Sequence, residues 1–130
     1  MPNFKKDLLN SINNKSAKIG VVGLGYVGLP LMLRFAQSNF SVLGFDINSK
    51  VVEMLNSGES YIQHIDSNEI RKVKQQNLFE TTLDISRVSE CNVIILCVPT
   101  PLNKYREPDL SFVLNTMESL LPNLQSGQLL

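Results

Sequence analysis

Few residues of this sequence are suited to a covalent crosslink or a metal site. It contains two cysteines and one histidine, and Cys91 and Cys97 lie six positions apart on one predicted strand. At about 3.3 Å per residue their Cα atoms would be roughly 20 Å apart, whereas a disulfide requires less than about 7 Å. We therefore predict two buried thiols in a reducing compartment and no metal site.

An excess of charge of either sign is also missing. Lys+Arg and Asp+Glu both number 12, so the formal net charge is zero, whereas a nucleic-acid-binding protein would usually be basic. With 43% hydrophobic and 18% charged residues, the composition excludes a disordered chain. The length of 130 residues is typical of one domain.

Long hydrophobic runs are absent as well. The longest charge-free apolar stretch, residues 19–33, has 15 residues with four glycines and a proline, and is too short and interrupted to span a bilayer. The first ten residues contain lysines but no apolar core of a secretory signal. We therefore expect a soluble, cytoplasmic protein with neither nucleic acid nor a membrane as partner.

The spacing of apolar residues predicts helices that alternate with short strands. The predicted strands cover residues 18–22, 41–45, 78–82 and 92–98, with another beginning at Leu129. The predicted helices cover residues 4–13 and 26–37, and further helices follow a cap at Asn48 or Ser49, a cap at Ser67, and the loop that ends at Pro108. This alternation indicates an α/β fold with a mostly parallel sheet.

Glycines fill the connection between the first strand and the next helix. Six residues there fit the pattern G-x-G-x-x-G: Gly23, Leu24, Gly25, Tyr26, Val27 and Gly28. Gly23 permits a tight turn, Gly25 lets a diphosphate approach the backbone, and Gly28 lets the helix pack against the strand. In this context the pattern predicts a dinucleotide site, with phosphate bound at the helix N-terminus.

An acid closes the second predicted strand. Asp46 lies 18 residues past Gly28, where a carboxylate can accept hydrogen bonds from ribose hydroxyls and would repel a 2′-phosphate. There is no arginine between Arg34 and Arg71, so the pattern favours NAD over NADP.

Several alternatives remain open from the residues alone. A flavin or S-adenosylmethionine site has the same layout, and Asp46 can also be an ordinary residue at a strand end. Pro99 and Thr100 follow a buried strand, so they either reach a dinucleotide or only end the strand. We interpret His64 as a surface-loop residue. The charged run at residues 104–107 is either a solvated loop or part of the ligand-binding edge.

Three segments resemble the UDP-glucose/GDP-mannose dehydrogenase family, at residues 19–30 (IGVVGLGYVGLP), 45–48 (FDIN) and 97–102 (CVPTPL). Two more, SYIQHI at 60–65 and NKYREPD at 103–109, are similar to the bacterial branch that oxidises UDP-N-acetylglucosamine to its uronic acid for polysaccharide synthesis. The resemblance covers nearly the whole chain from about residue 4.

The resemblance implies a Rossmann-type doubly wound parallel sheet. We expect a helix and linker at residues 1–16, followed by an NAD-binding domain over residues 17–130. Relative to the family this domain is expected to be incomplete, truncated at the start of its fifth strand. The implied cofactor is NAD, and the implied contacts are the glycine-loop residues 23–28, Asp46, Pro99 and Thr100. Family members oxidise C6 of a nucleotide sugar in two hydride transfers through a cysteine adduct. They bind the UDP-sugar mostly in a C-terminal domain and contain a dimerising helix, so a homo-oligomer is expected.

Two departures from the family pattern limit what this chain can do. Five residues after the acid, where the family commonly has Lys or Arg, stands Val51, preceded by Lys50. The family's nucleophilic cysteine belongs to a downstream glycine-containing motif that neither Cys91 nor Cys97 matches. We therefore expect NAD binding without turnover and no catalytic residue in this chain. The alternatives are a stand-alone dinucleotide-binding module, or a substrate such as UDP-glucose, UDP-N-acetylgalactosamine or GDP-mannose.

Overall fold

The computed structural model describes residues 2–130 and contains a parallel sheet of four strands in the order β3-β2-β1-β4. The strands are β1 Lys18–Val22, β2 Ser41–Phe45, β3 Phe79–Thr82 and β4 Val93–Leu96. The helices are α1 Phe4–Asn13, α2 Gly28–Gln37, α3 Ser49–Asn56, α4 Ser67–Gln75 and α5 Ser111–Leu120, with 3₁₀ turns at Ile85–Glu90 and Leu121–Asn123. The predicted α/β fold with a parallel sheet is confirmed.

Two apolar cores lie on opposite faces of the sheet. The larger core packs α2 and α4 against β1 and β2, and includes Ile19, Val21 and Val42. The smaller core includes Val22, Phe45 and Leu120, and packs the 3₁₀ turns and the end of α5 against the other face. Because β1 is central and covered on both faces, four of its five residues are buried, as expected for a parallel strand.

The side chain of Asn56 covers the open edge of the sheet, which is formed by β3. The Asn56 side-chain amide donates to the Thr81 carbonyl oxygen, and its oxygen accepts from the Thr81 N–H, both at 3.0 Å. The Thr81 hydroxyl also donates to the Val52 carbonyl oxygen at 3.1 Å. The side chain therefore replaces a neighbouring strand and ties α3 to this edge, which limits edge-to-edge pairing.

Helix starts differ from the predictions at two places. The helix predicted from residue 26 begins at Gly28, because the glycine turn occupies the preceding residues. Asp66, rather than Ser67, caps α4, and its carboxylate accepts from the Asn68 N–H at 2.9 Å. Unlike the Ser67 hydroxyl, the Asp66 carboxylate also complements the positive end of the helix dipole.

The two cysteines lie outside β4, so the prediction that they share one strand is wrong. The strand covers only Val93–Leu96, with Cys91 before it and Cys97 after it. Both thiols are free, but only Cys91 is buried as predicted, and Cys97 is half-buried. Burial raises the pKa of the Cys91 thiol to about 11. Only Ile94 of this strand is fully buried, because α5 covers the strand mainly through its last residue.

A further β-pairing forms at the C-terminal end of the chain. Leu129 pairs with Val93 in parallel. The Ile94 N–H donates to the Leu129 carbonyl oxygen at 2.8 Å, and the Leu129 N–H donates to the Asn92 carbonyl oxygen at 3.0 Å. The predicted start of another strand at Leu129 is therefore present as a single parallel bridge, and it lies beside β4. Within residues 2–130, every helix is too short or too polar to cross a membrane.

A cluster of charged side chains joins the start of β1, β3 and the first 3₁₀ turn. Arg87 pairs with Glu80 and with Glu90 at 2.7 Å each, and Lys18 pairs with Glu90 at 3.1 Å. Hydrogen bonds from Arg87 and then Lys18 lower the pKa of the Glu90 carboxyl to about 2. This cluster stabilises the end of the sheet opposite the glycine turn.

Candidate functional site

The turn after β1 is tight and depends on glycine at its first position. Gly23 has a φ of 97°, in the left-handed region that L side chains rarely adopt. A Cβ at this position would lie 2.6 Å from the Cys97 carbonyl oxygen. The Gly23 N–H donates to the Phe45 carbonyl oxygen at 2.8 Å. The turn is therefore held between the carboxyl ends of β2 and β4.

The other two glycines of the pattern have different roles. A Cβ at Gly28 would lie 1.7 Å from the Gly23 carbonyl oxygen, so α2 can start against the turn only if this residue is glycine. At Gly25, no atom lies within 4 Å of an added Cβ, and its φ is not in the left-handed region. The fold therefore has no need of glycine at Gly25, whereas a ligand approaching the backbone would.

Unpartnered N–H groups surround this open position. Within residues 2–130, the backbone N–H groups of four consecutive residues donate no hydrogen bond: Gly25, Tyr26, Val27 and Gly28. They stand at the N-terminus of α2, whose dipole favours negative charge. The side chains of Tyr26 and Val27 are exposed, at 79% and 69%. This arrangement is suited to binding a phosphate or diphosphate.

The Asp46 carboxylate is fixed beside the turn. One of its oxygens accepts from the Leu24 N–H and the other from the Asn48 N–H, both at 2.9 Å. Each oxygen keeps acceptor capacity for a ligand hydroxyl. The side chain of Leu24 is buried and its N–H is occupied by Asp46, so Leu24 acts on the site by orienting this carboxylate.

An apolar cleft of about 430 Å³ opens at the carboxyl ends of the strands. Its wall includes Asp46 and Pro99, whereas Thr100 is exposed and outside the lining. Lys50 is exposed and Val51 packs against the larger core, and neither lines the cleft. The cleft lies where parallel sheets bind ligands, at the point where the strand order reverses.

Most of the cleft wall was not predicted from the sequence. The ends of all four strands and the residues after them contribute Val22, Phe45, Ile47, Leu83, Ile85 and Val98, and one face of α5 contributes Phe112, Thr116 and Ser119. Ile47 is 98% exposed. Ile47 directly after the strand-end acid, and Phe112 on α5, are the apolar residues that could have indicated this wall.

The segment at residues 60–65 lies beside the glycine turn. The His64 ring, predicted to be on the surface, is exposed but stacks on Tyr26 with centroids 6.3 Å apart and planes 16° apart. The Tyr61 hydroxyl is enclosed and has no hydrogen-bond partner in the described part of the chain. Burial, Asp46 and Tyr26 raise the pKa of Tyr61 to about 12.

The charged run at residues 104–107 forms part of an exposed hairpin outside the cleft. Leu102 pairs with Pro108 across its base, and the Asn103 side chain accepts from the Tyr105 and Glu107 N–H groups. Within residues 2–130, no three His, Cys, Asp or Glu side chains converge as a metal site.

Together, the strand order, the glycine turn and the acid define a dinucleotide-binding domain of the Rossmann type. Residues 17–130 match the model of the UDP-glucose/GDP-mannose dehydrogenase family, NAD binding domain. The chain belongs to this family, and its cofactor is NAD.

Relatives and solved structures agree with this assignment. The chain is 37% identical over 112 residues to UDP-N-acetyl-D-glucosamine 6-dehydrogenase of Salmonella typhi, covering 86% of this chain and 25% of that protein. It is 35% identical over 114 residues to UDP-N-acetyl-D-mannosamine dehydrogenase of Pyrococcus horikoshii, covering 86% and 27%.

A crystal structure of NDP-N-acetyl-D-galactosaminuronic acid dehydrogenase from Methanosarcina mazei superposes with a TM-score of 0.81 and 35% identity, covering 98% of this chain and 29% of that one. The chain thus spans about a quarter of the length of the curated relatives it matches.

Proposed function

We propose that this chain is the cofactor-binding part of an NAD-dependent dehydrogenase that oxidises C6 of UDP-N-acetylglucosamine to the uronic acid. The observation that carries the proposal is the open position at Gly25, which has no protein atom within 4 Å of an added Cβ and is flanked by unpartnered N–H groups. Such a site accepts a diphosphate without movement of the backbone.

The residues of the site match the parts of NAD in order along the sheet edge. The N–H groups from Gly25 to Gly28 would bind the diphosphate, and Asp46 would accept from the hydroxyls of the adenosine ribose. The apolar cleft, with Pro99 in its wall, would hold the adenine, and Thr100, four residues past the end of β4, would contact the dinucleotide from outside the cleft. NAD supplies the hydride acceptor, and the charge of Asp46 disfavours the 2′-phosphate of NADP.

The sugar is proposed from the relatives and from two segments of this chain. Two curated relatives, at 37% and 35% identity, are named for UDP-N-acetyl-D-glucosamine, and residues 60–65 and 103–109 are similar to that branch. Other relatives are named for UDP-N-acetyl-D-mannosamine, which makes this epimer the second candidate. Most of the contacts to the UDP-sugar would come from outside these residues.

The proposal extends to the compartment, the pathway and the oligomeric state of the whole protein. Both cysteines are free, which is typical of the reducing cytoplasm, so we expect the protein to act there in the synthesis of a surface polysaccharide. The family resemblance favours a homo-oligomer.

This chain alone is proposed to bind NAD without turnover. Burial raises the pKa of both thiols, which makes them poor nucleophiles at neutral pH. In the test, the chain is titrated with NAD+, and UDP-N-acetylglucosamine is then added while absorbance at 340 nm is followed. We expect binding and no NADH. Formation of NADH by this chain, or absence of NAD+ binding, would contradict the proposal.

A further inference from the structure

A stacked pair of rings stands beside the glycine turn and has no role in the site described so far. The Tyr26 and His64 rings lie 6.3 Å apart, centroid to centroid, and nearly parallel. Tyr26 is itself one of the residues whose N–H is unpartnered. The imidazole is therefore held against the side chain of a residue of the glycine turn, although it comes from the connection between α3 and α4.

The segment that carries His64 is anchored on both sides of it. The Ser60 hydroxyl donates to the Ile62 carbonyl oxygen at 2.9 Å, and the Ser60 N–H donates to the Ser67 hydroxyl at 3.0 Å. Ile62 and Ile65 are buried in the larger core, and the Ile65 N–H donates to the Ile62 carbonyl oxygen at 3.0 Å. This anchoring fixes where the imidazole can reach and lowers the entropy lost on binding.

His64 has donor capacity that the chain itself does not use. No hydrogen bond or ion pair of its ring occurs within residues 2–130, and its side chain is exposed. An imidazole carries an N–H donor in either neutral tautomer and two when protonated. A phosphate oxygen is a charged acceptor, and hydrogen bonds to charged groups are the stronger class.

We propose that His64 is a further binding residue of this site and donates an N–H hydrogen bond to the diphosphate of the dinucleotide. Tyr26 orients the imidazole by stacking, and the anchored backbone of residues 60–65 holds it in place. The inference rests on the proposed function, since it assumes that a dinucleotide diphosphate binds at the turn. For a partly exposed contact, loss of the donor should weaken binding by about 3- to 10-fold.

Two substitutions separate the hydrogen bond from the stacking. His64→Phe keeps an aromatic ring against Tyr26 but has no donor, whereas His64→Gln loses the ring and keeps an N–H donor. Gln63→Ala, at the exposed neighbouring position, is the matched control. The intact chain and each variant are titrated with NAD+, ADP-ribose and adenosine, and thermal unfolding confirms that each variant is folded.

We expect H64F to lower the affinity for NAD+ and for ADP-ribose by a similar factor. The affinity for adenosine, which has no phosphate, should be unchanged. H64Q should retain most of the affinity, and Q63A should match the unsubstituted chain. Unchanged NAD+ affinity in H64F, or an equal loss for adenosine, overturns the role of His64 and leaves the proposed function intact. Failure of the unsubstituted chain to bind NAD+ overturns the proposed function as well.

Discussion

Alanine at Gly28 and alanine at Gly25 should both weaken NAD+ binding, but only alanine at Gly28 should destabilise the fold. At Gly28 the added methyl would lie 1.7 Å from the Gly23 carbonyl oxygen and 3.3 Å from the Cys97 Cβ. Because the nearest atom belongs to the backbone, α2 must move by at least about 1.5 Å to reach an ordinary contact distance. That movement would unpack Leu29 and Met32, which are fully buried.

The loss of folding stability expected for alanine at Gly28 is large for a protein of this size. Overpacking a core costs about 1–3 kcal/mol, and the lost contacts of α2 add to it, so we expect at least about 3 kcal/mol. A domain is typically stable by about 5–15 kcal/mol. G28A should therefore be strongly destabilised and bind NAD+ poorly because α2 is displaced.

At Gly25 the same methyl group meets no protein atom within 4 Å. Since its backbone conformation suits any L residue, Gly→Ala should leave stability unchanged or raise it by about 0.4–1 kcal/mol. The methyl would nevertheless occupy the space that the diphosphate needs. We expect NAD+ affinity to fall at least about tenfold, which corresponds to about 1.4 kcal/mol.

Urea unfolding followed by circular dichroism gives the stability of both variants, and calorimetric titration gives their affinity for NAD+. A G25A variant that binds NAD+ as tightly as the unsubstituted chain would refute the placement of the diphosphate. A G28A variant as stable as the unsubstituted chain would refute the packing argument.

Three further substitutions test separate parts of the account. Asp46→Asn should weaken NAD+ binding by about tenfold and reduce the preference for NAD+ over NADP+, measured by parallel titrations; an unchanged preference would count against the acid. Tyr61→Phe removes an enclosed hydroxyl without a partner in the described residues, so stability in urea should be unchanged or higher by up to about 2 kcal/mol. The tyrosine ionisation near pH 12 should also disappear from its ultraviolet titration. Glu90→Gln removes a carboxylate whose pKa is lowered from 4.5 to about 2. The ionised Glu90 carboxylate stabilises the fold above about pH 4.5, and this contribution is lost as the pH falls to 2. The variant's thermal stability should therefore depend less on pH in that range, by under about 1 kcal/mol because the pair is exposed, and an identical dependence would contradict the ion-pair argument.

Features set by local sequence could be predicted well. The helix at Phe4–Asn13 and the strands at Lys18–Val22 and Ser41–Phe45 have the predicted bounds, because apolar periodicity and turn residues act over a few positions. The position of Asp46 beside the turn also follows from local rules, since parallel strands end at the same edge of a sheet.

Features set by contacts between distant segments could not be predicted. His64 meets Tyr26 across 38 positions of the chain, and Phe112 reaches the cleft from a helix whose periodicity indicated only a buried face. β4 ends at Leu96, two residues before the predicted end, where the chain passes against the glycine turn at Cys97. These outcomes depend on how segments pack in three dimensions, which propensity and spacing do not encode.

A calorimetric titration of the chain with NAD+, beside one with NADP+, tests the central claim most directly. We expect saturable binding of NAD+ at one site, and binding of NADP+ that is at least about tenfold weaker because the Asp46 carboxylate would lie beside the ribose hydroxyls. Equal affinity for the two dinucleotides would contradict the role of Asp46. Absence of binding to either would contradict the assignment of the glycine turn as a cofactor site in this chain.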